Sequence, residues 1–179
     1  MKIHIFGASG TGTTTIGLEL SKELKIPFFD SDDYFWEKTD LAFQKIRVRE
    51  ERQALLQQDL EKHANWIVSG AFCEWGDFLI PQFTLAIFLY VPHDIRMQRL
   101  DEREVLRYGT DITSIDHPMN AAHELFISWA SKYDTAGLDM RSKAQHEEWI
   151  KILPCKVLRI EGDLPVSSIM QIVLMSGYA

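Results

Sequence analysis

The 179-residue sequence is short of cysteine, of positive charge and of long apolar runs. Its two cysteines, Cys73 and Cys155, are too few for a disulfide framework and too far apart for metal-ligand spacing. A reduced, cytoplasmic setting is expected, with a single disulfide left open. No apolar stretch approaches the roughly 18 residues that cross a bilayer. The first residues run straight into a strand-like segment without the architecture of a signal peptide. No membrane partner is therefore expected. Nineteen basic residues stand against 26 acidic ones, giving a net charge of -7 and a pI near 5.3. That balance excludes a general nucleic-acid surface, which needs a basic face against the phosphate backbone.

What is present is an ordinary globular composition, 46% hydrophobic and 25% charged, long enough for a sizeable core. There is no linker, repeat or low-complexity block, so residues 1–179 read as one domain. "KIHIFG" reads as a strand, and Ile16, Leu20 and Leu24 mark one face of a helix from Thr14 that ends before Pro27. "IPFFDSDD" reads as a second strand ending in acids, and residues 44–63 as a charged helix. "NWIVSGAF" and "TLAIFLYVP" are unbroken apolar runs, as in strands covered on both faces. Helices are expected over "DIRMQRLDEREVLRYG", about 118–133 and about 139–152, then a strand at "CKVLRIEG" and a final helix at "PVSSIMQIVLMSG". Alternation of strands and helices implies a three-layer α/β/α fold around a parallel sheet of about five strands.

The stretch "GASGTGTTT", residues 7–15, carries the first chemistry; every residue but Ala8 is Gly, Ser or Thr. It fits the phosphate-loop pattern G-x-x-x-x-G-K-[ST] with Gly7 and Gly12 as the glycines and Thr14 as the hydroxyl. Thr13 stands where the lysine belongs. Gly7, Ala8, Ser9, Gly10, Thr11, Gly12, Thr13 and Thr14 are thus expected to cradle a nucleotide's phosphates with main-chain amides. Thr14 would face Mg²⁺. Without the lysine, such a loop points to binding more firmly than to turnover. The competing reading is a dinucleotide-binding turn, with Asp30 near the ribose and a Tyr34–Lys38 pair, although Thr15 replaces its third glycine. A ligand-free strand-to-helix turn is the bland alternative.

With "GASGTGTTT", "FFDSDDYFW", "WIVSGAF" and "TLAIFLYVP–DIRMQRLDERE" in place, the sequence resembles the P-loop small-molecule and nucleotide kinases, adenylate-kinase-like and shikimate-kinase-like. "DSDDYFW", "RYG", "SWASKYD" and "RSKAQHEEW" are similar to adenylate-kinase-like proteins with GTTT loops, a subgroup in which threonine replaces the lysine. The resemblance implies an acceptor region at about 31–64 and a lid at about 99–141. It also implies small residues such as Gly70 beside the acceptor, a carboxylate near Mg²⁺, and lid arginines on the transferring phosphoryl group.

Arg96, Arg99, Arg103 and Arg107 recur three and four apart, one stripe on a helix. Arg99, Arg103, Arg107 and Arg141 are candidates for the missing cation, because arginine's fork suits phosphate. The bland reading is a solvated face, given the interleaved Asp101, Glu102 and Glu104. Asp30 and Asp32 would share a side if the strand continued that far. One of the two, Asp32 in the first place, would hold Mg²⁺ and the other would orient or deprotonate an acceptor hydroxyl, so both are candidate substrate contacts; Asp33 would cap the next helix. Arg47 and Arg52 are candidate grips on the acceptor, or ordinary helix-surface pairs. Trp36, Phe72 and Trp75 are candidates for an aromatic pocket, or core. His146–Glu147 does not make H-E-x-x-H, so zinc is rejected. The expected activity is transfer of the γ-phosphoryl of ATP to a small-molecule or nucleotide acceptor, by a monomer or homodimer. The alternatives are a nucleotide-binding module without transfer, and an NAD(P)-binding domain.

Overall fold

Five parallel strands form one sheet in the order β2-β3-β1-β4-β5 in the computed structural model, which describes residues 1–40 and 43–177. Residues 41–42 of the expected acceptor region, and 178–179, lie outside the described residues. The strands are β1 (Lys2–Gly7), β2 (Phe28–Asp30), β3 (Trp66–Ser69), β4 (Leu85–Tyr90) and β5 (Lys156–Glu161). The helices are α1 (Thr13–Leu24), α2 (Ser31–Phe35), α3 (Arg49–Leu60), α4 (His93–Tyr108), α5 (Asn120–Ser131), α6 (Lys143–Ile150) and α7 (Val166–Met175). This is the three-layer α/β/α arrangement that the alternating pattern implies.

Side-chain alternation along the strands splits the core into two unlike halves. Ile3, Ile5, Ile67, Leu85, Ile87 and Leu89 point to an aliphatic side, where Ile16 and Leu20 of α1 and Ile169 and Val173 of α7 pack on them. Phe6, Trp66, Val68 and Phe88 point the other way, against Leu56 and Leu60 of α3 and Trp149 of α6. Burying each such side chain contributes about 1.5–3 kcal/mol. The two cysteines are free thiols, so the open question of a disulfide is answered against it. No helix among the described residues is long and apolar enough to span a membrane.

The structure corrects three local expectations. The second strand stops at Asp30, whose carboxylate accepts from the Asp32 amide at 3.0 Å and caps α2. Asp32 and Asp33 therefore sit in the first helical turn, where carboxylates are stabilised by the free amides. Asp30, not Asp33, is the cap. Residues 44–48 are not helical: Ile46 pairs with Trp36 in an antiparallel bridge, and α3 starts only at Arg49. The helix expected over 139–152 starts at Lys143, because the Ser142 hydroxyl caps it by accepting from the Gln145 amide at 2.9 Å.

Two histidines lie inside the aromatic half with no exposure. His4 is stacked between Phe6 and Phe83 at 4.9 and 5.0 Å, and its Nε2 bonds Gly70 O at 2.8 Å. His146 Nδ1 bonds the Tyr133 hydroxyl at 2.7 Å. Burial lowers both from 6.5 to about 3. Each is neutral in the folded chain while the unfolded chain takes up a proton below pH 6.5, so acid favours unfolding. The slope is about 1.4 kcal/mol per pH unit for each group. Urea denaturation is expected to show stability about 2–3 kcal/mol lower at pH 5.5 than at 7.5. His4→Phe, which keeps the stack and removes one titration, is expected to halve that difference.

Candidate functional site

The strand order reverses direction beside β1: the chain leaves β1 toward β2 on one side and leaves β4 toward β5 on the other. Parallel sheets open a crevice at the carboxyl ends of such strands. Here the β1–α1 loop occupies it. Gly7 passes so close to β4 that a Cβ would meet Leu89 O at 2.4 Å. Gly10 and Gly12 have φ of 83° and 88°, the left-handed region that glycine adopts without a Cβ penalty. Thr11 closes the turn by donating its hydroxyl to Ala8 O at 2.8 Å. Gly12 offers α1 no side-chain cap, and no acid stands in the first turn. The first-turn amides, which have no partner within their own helix, therefore present an uncompensated positive end.

A cleft of about 850 Å³ lies over this loop and is lined by all of residues 7–16, with Asp30, Asp32, Asp33, Gly70, Arg99, Arg103, Arg107 and Arg141 among the others. The Thr14 hydroxyl donates to Asp30 Oδ2 at 2.6 Å. Asp32 lines the cleft, and its carboxyl is raised by desolvation and then by Asp30, against the lowering pull of Arg141 and Arg103. Among the described residues no cluster of three or more His, Cys, Asp or Glu could hold a metal. The oxygen donors Thr14, Asp30 and Asp32 nevertheless fit Mg²⁺, which keeps much of its water and needs only one or two carboxylates beside phosphate.

A second cavity of about 600 Å³ adjoins the first. Ser9, Asp32, Phe43, Arg103, Arg107 and Arg141 line both. The arginine stripe divides by function along α4. Arg96 is wholly buried, donating from Nε to Val91 O at 3.0 Å and pairing with Asp134 at 2.5 Å. Arg99 braces the loop through Gly10 O at 3.3 Å and pairs with Asp163. Arg103 and Arg107 lie 3.8 and 3.5 Å from Glu104. Arg141 comes from the far side, its guanidinium 5.0 Å over the Trp129 ring, and it has no hydrogen-bond or ion-pair partner among the described residues. Burial lowers the guanidinium pKa of Arg141 and of Arg103, although arginine stays charged at neutral pH.

Not every expected site residue is brought here. Gly70 is, with φ of 101° beside Ser31. Arg47 and Arg52 line neither cavity. Arg47 donates to Tyr34 O at 3.0 Å and Trp36 O at 3.3 Å, tying the turn after α2 to α3. Arg52 is stacked over Phe35 and Trp75 at 4.3 and 5.0 Å. Trp36 lines the second cavity, but Phe72 and Trp75 belong to the core. Tyr34 donates its hydroxyl to Asp59 at 2.9 Å, so the tyrosine–lysine pair does not face the loop. Sequence reasoning missed Glu104, His123, Phe126 and Trp129, which build the second cavity from α4 and α5. Glu104 is 4% exposed rather than solvated. Its signal was its place beside Arg103 and three residues before Arg107, where it can reach both guanidinium groups.

Residues 3–113 match the family model described as an AAA domain. The chain belongs to that AAA-domain family. This member of the AAA-domain family is 46% identical to the uncharacterised protein YqaC of Bacillus subtilis strain 168, over 92% of this chain and 90% of YqaC. It is 24% identical to the shikimate kinase of Aquifex aeolicus strain VF5, over 91% of this chain and 98% of that enzyme. Among solved structures, the Aquifex aeolicus shikimate kinase superposes with a TM-score of 0.56 at 20% identity, covering 98% of this chain and 95% of that one. Deoxyadenosine kinase from M. mycoides with bound dATP gives 0.56 at 16% identity, covering 100% of both chains. The fold is that of the P-loop nucleotide and small-molecule kinases.

The divided stripe makes a direct prediction about stability. Arg96→Ala strands the Asp134 carboxylate and is expected to cost about 3–5 kcal/mol in urea denaturation. Arg99→Ala breaks only a half-exposed pair and is expected to cost less than about 1 kcal/mol.

Proposed function

We propose that this AAA-domain protein is a phosphotransferase, moving the γ-phosphoryl group of ATP to a small hydroxyl- or phosphate-bearing acceptor. The observation that carries this reading is the shared wall between the two cavities. Asp32, Arg103, Arg107 and Arg141 line both, which is where a group passing from donor to acceptor must travel.

The loop amides and the open end of α1 hold the triphosphate, and Gly12 leaves room for close approach, with nothing within 4 Å of a Cβ built there. Thr14 and Asp30, joined by a hydrogen bond, would hold Mg²⁺, which supplies neutralising charge at the β- and γ-phosphates. Thr13 contributes no charge. Arg141 and Arg103 stand in for the missing ammonium group, Arg141 from a position over the Trp129 ring on the wall that both cavities share. Asp32, which lines both cavities, orients an acceptor hydroxyl and takes its proton. Residues of about 99–141 form the lid and those of about 31–64 the acceptor region of a single domain. With both cysteines free, a reduced cytoplasmic setting and a small-molecule partner suit this reading, with neither nucleic acid nor membrane involved.

The absence of a loop lysine favours one other reading, a nucleotide-binding module that does not transfer phosphate. Two measurements separate them. Arg103→Ala and Arg141→Ala are expected to slow ATP turnover roughly 10³-fold or more, the scale of an arginine at a P-loop site. Retention of full turnover in both would sink the phosphotransferase. Thr13→Lys is expected to leave turnover unchanged or lower it, because the charge is already supplied. A large gain in ATP hydrolysis would favour the binding module.

A further inference from the structure

The second cavity is walled by rings. Phe35, Trp36 and Phe43 come from α2 and the segment after it, and Tyr108, Phe126 and Trp129 from α4 and α5. Met119, Ala122 and Leu125 add apolar surface. The polar side chains that this cavity does not share with the loop cleft are Gln44, Glu104, Tyr108 and His123. Glu104 is already engaged by Arg103, Arg107 and, at 3.8 Å, His123. The charge is gathered at the junction instead. There each shared arginine stands over a ring of this cavity: Arg107 over Phe43 at 4.7 Å, Arg103 over Phe126 at 5.5 Å and Arg141 over Trp129 at 5.0 Å.

Such a lining discriminates between acceptors. A non-planar molecule with hydroxyls on every side would bury several of them without partners, and each orphaned group costs free energy. A flat unsaturated ring loses little hydration on its faces and gains from stacking on aromatic side chains. The volume lies within the roughly 300–1,000 Å³ that enclose small organic ligands.

Resting on the phosphotransferase reading, we propose that the acceptor is a flat aromatic ring whose hydroxyl sits on an attached saturated carbon, the chemistry shared by nucleosides and by simpler arylmethyl alcohols. The ring occupies the aromatic cavity and its hydroxyl reaches the wall of Asp32, Arg103 and Arg141. The hydroxyl oxygen forms a bond to the γ-phosphorus as the bond from that phosphorus to the β–γ bridging oxygen breaks. ADP leaves with the bonding electron pair, the hydroxyl proton passes to Asp32, and the product is a phosphate monoester.

The test measures ADP release from ATP and Mg²⁺ with three sets of candidates at 1 mM: nucleosides, benzyl and pyridylmethyl alcohols, and non-aromatic polyols such as shikimate and gluconate. Binding of a fluorescent ATP analogue is measured separately. One of the first two sets is expected to accelerate ADP release at least tenfold, and which set does so distinguishes nucleosides from simpler alcohols. Trp36→Ala and Phe126→Ala are then expected to raise the acceptor KM at least tenfold, with kcat changed less than threefold and the ATP analogue still bound. Acceleration by polyols alone, or by none of the sets while the analogue binds, overturns the aromatic acceptor and leaves the donor site standing. Failure of the analogue to bind overturns the phosphotransferase and this inference with it.

Discussion

The site depends on one arrangement of backbone: a helix whose first amides are left without partners, at the end of the central strand. Gly12 gives α1 no cap and its first turn holds no acid, so the helix end stays positive. That polarity needs no side chain, which is why a loop with Thr13 in place of lysine can still be an anion site. Gly7 and Gly10 make the turn sterically possible, Gly7 because β4 runs against it and Gly10 because the Arg96 backbone does, its O 2.9 Å from a Cβ built at Gly10. Arg96 therefore links the loop to the core twice, through its main chain here and through its buried guanidinium at Asp134.

Around this anchor the charges are sorted by burial. Arg96 is consumed in structure, Arg99 supports the loop, and Arg103 and Arg107 share Glu104. Arg141 reaches the junction without an ion-pair partner among the described residues, held by the face of Trp129 and within the field of Asp32. A guanidinium held against a ring and not neutralised is pre-oriented for an incoming anion. The pair of buried, neutral histidines bears on the same region from below, since His4 holds the carbonyl of Gly70 and His146 holds Tyr133.

Much of this was legible in the order of residues. The five strands, the parallel sheet and the glycine loop follow from apolar runs, alternation and the close spacing of Gly7, Gly10 and Gly12. The errors are local, and they have a common cause. "DSDD" looks like the end of a strand until Asp30 turns back to cap the next residues, a side-chain hydrogen bond that overrides strand propensity. Arg47 and Arg52 look like acceptor grips or surface pairs, but one ties down a turn and the other lies over the rings of Phe35 and Trp75.

The sequence by itself determined the sheet, the glycine-rich loop and the absence of its lysine, because these depend on residues adjacent along the chain or spaced at fixed periods. Only the tertiary structure decided which arginines line the cleft. Arg96, Arg99, Arg103 and Arg107 are equivalent in spacing, and what separates them is how deeply each is buried and which carboxylate packs beside it. The aromatic cavity is likewise invisible to periodicity, since its walls join rings from α2 and its following segment to rings from α4 and α5, which meet only when the chain is folded.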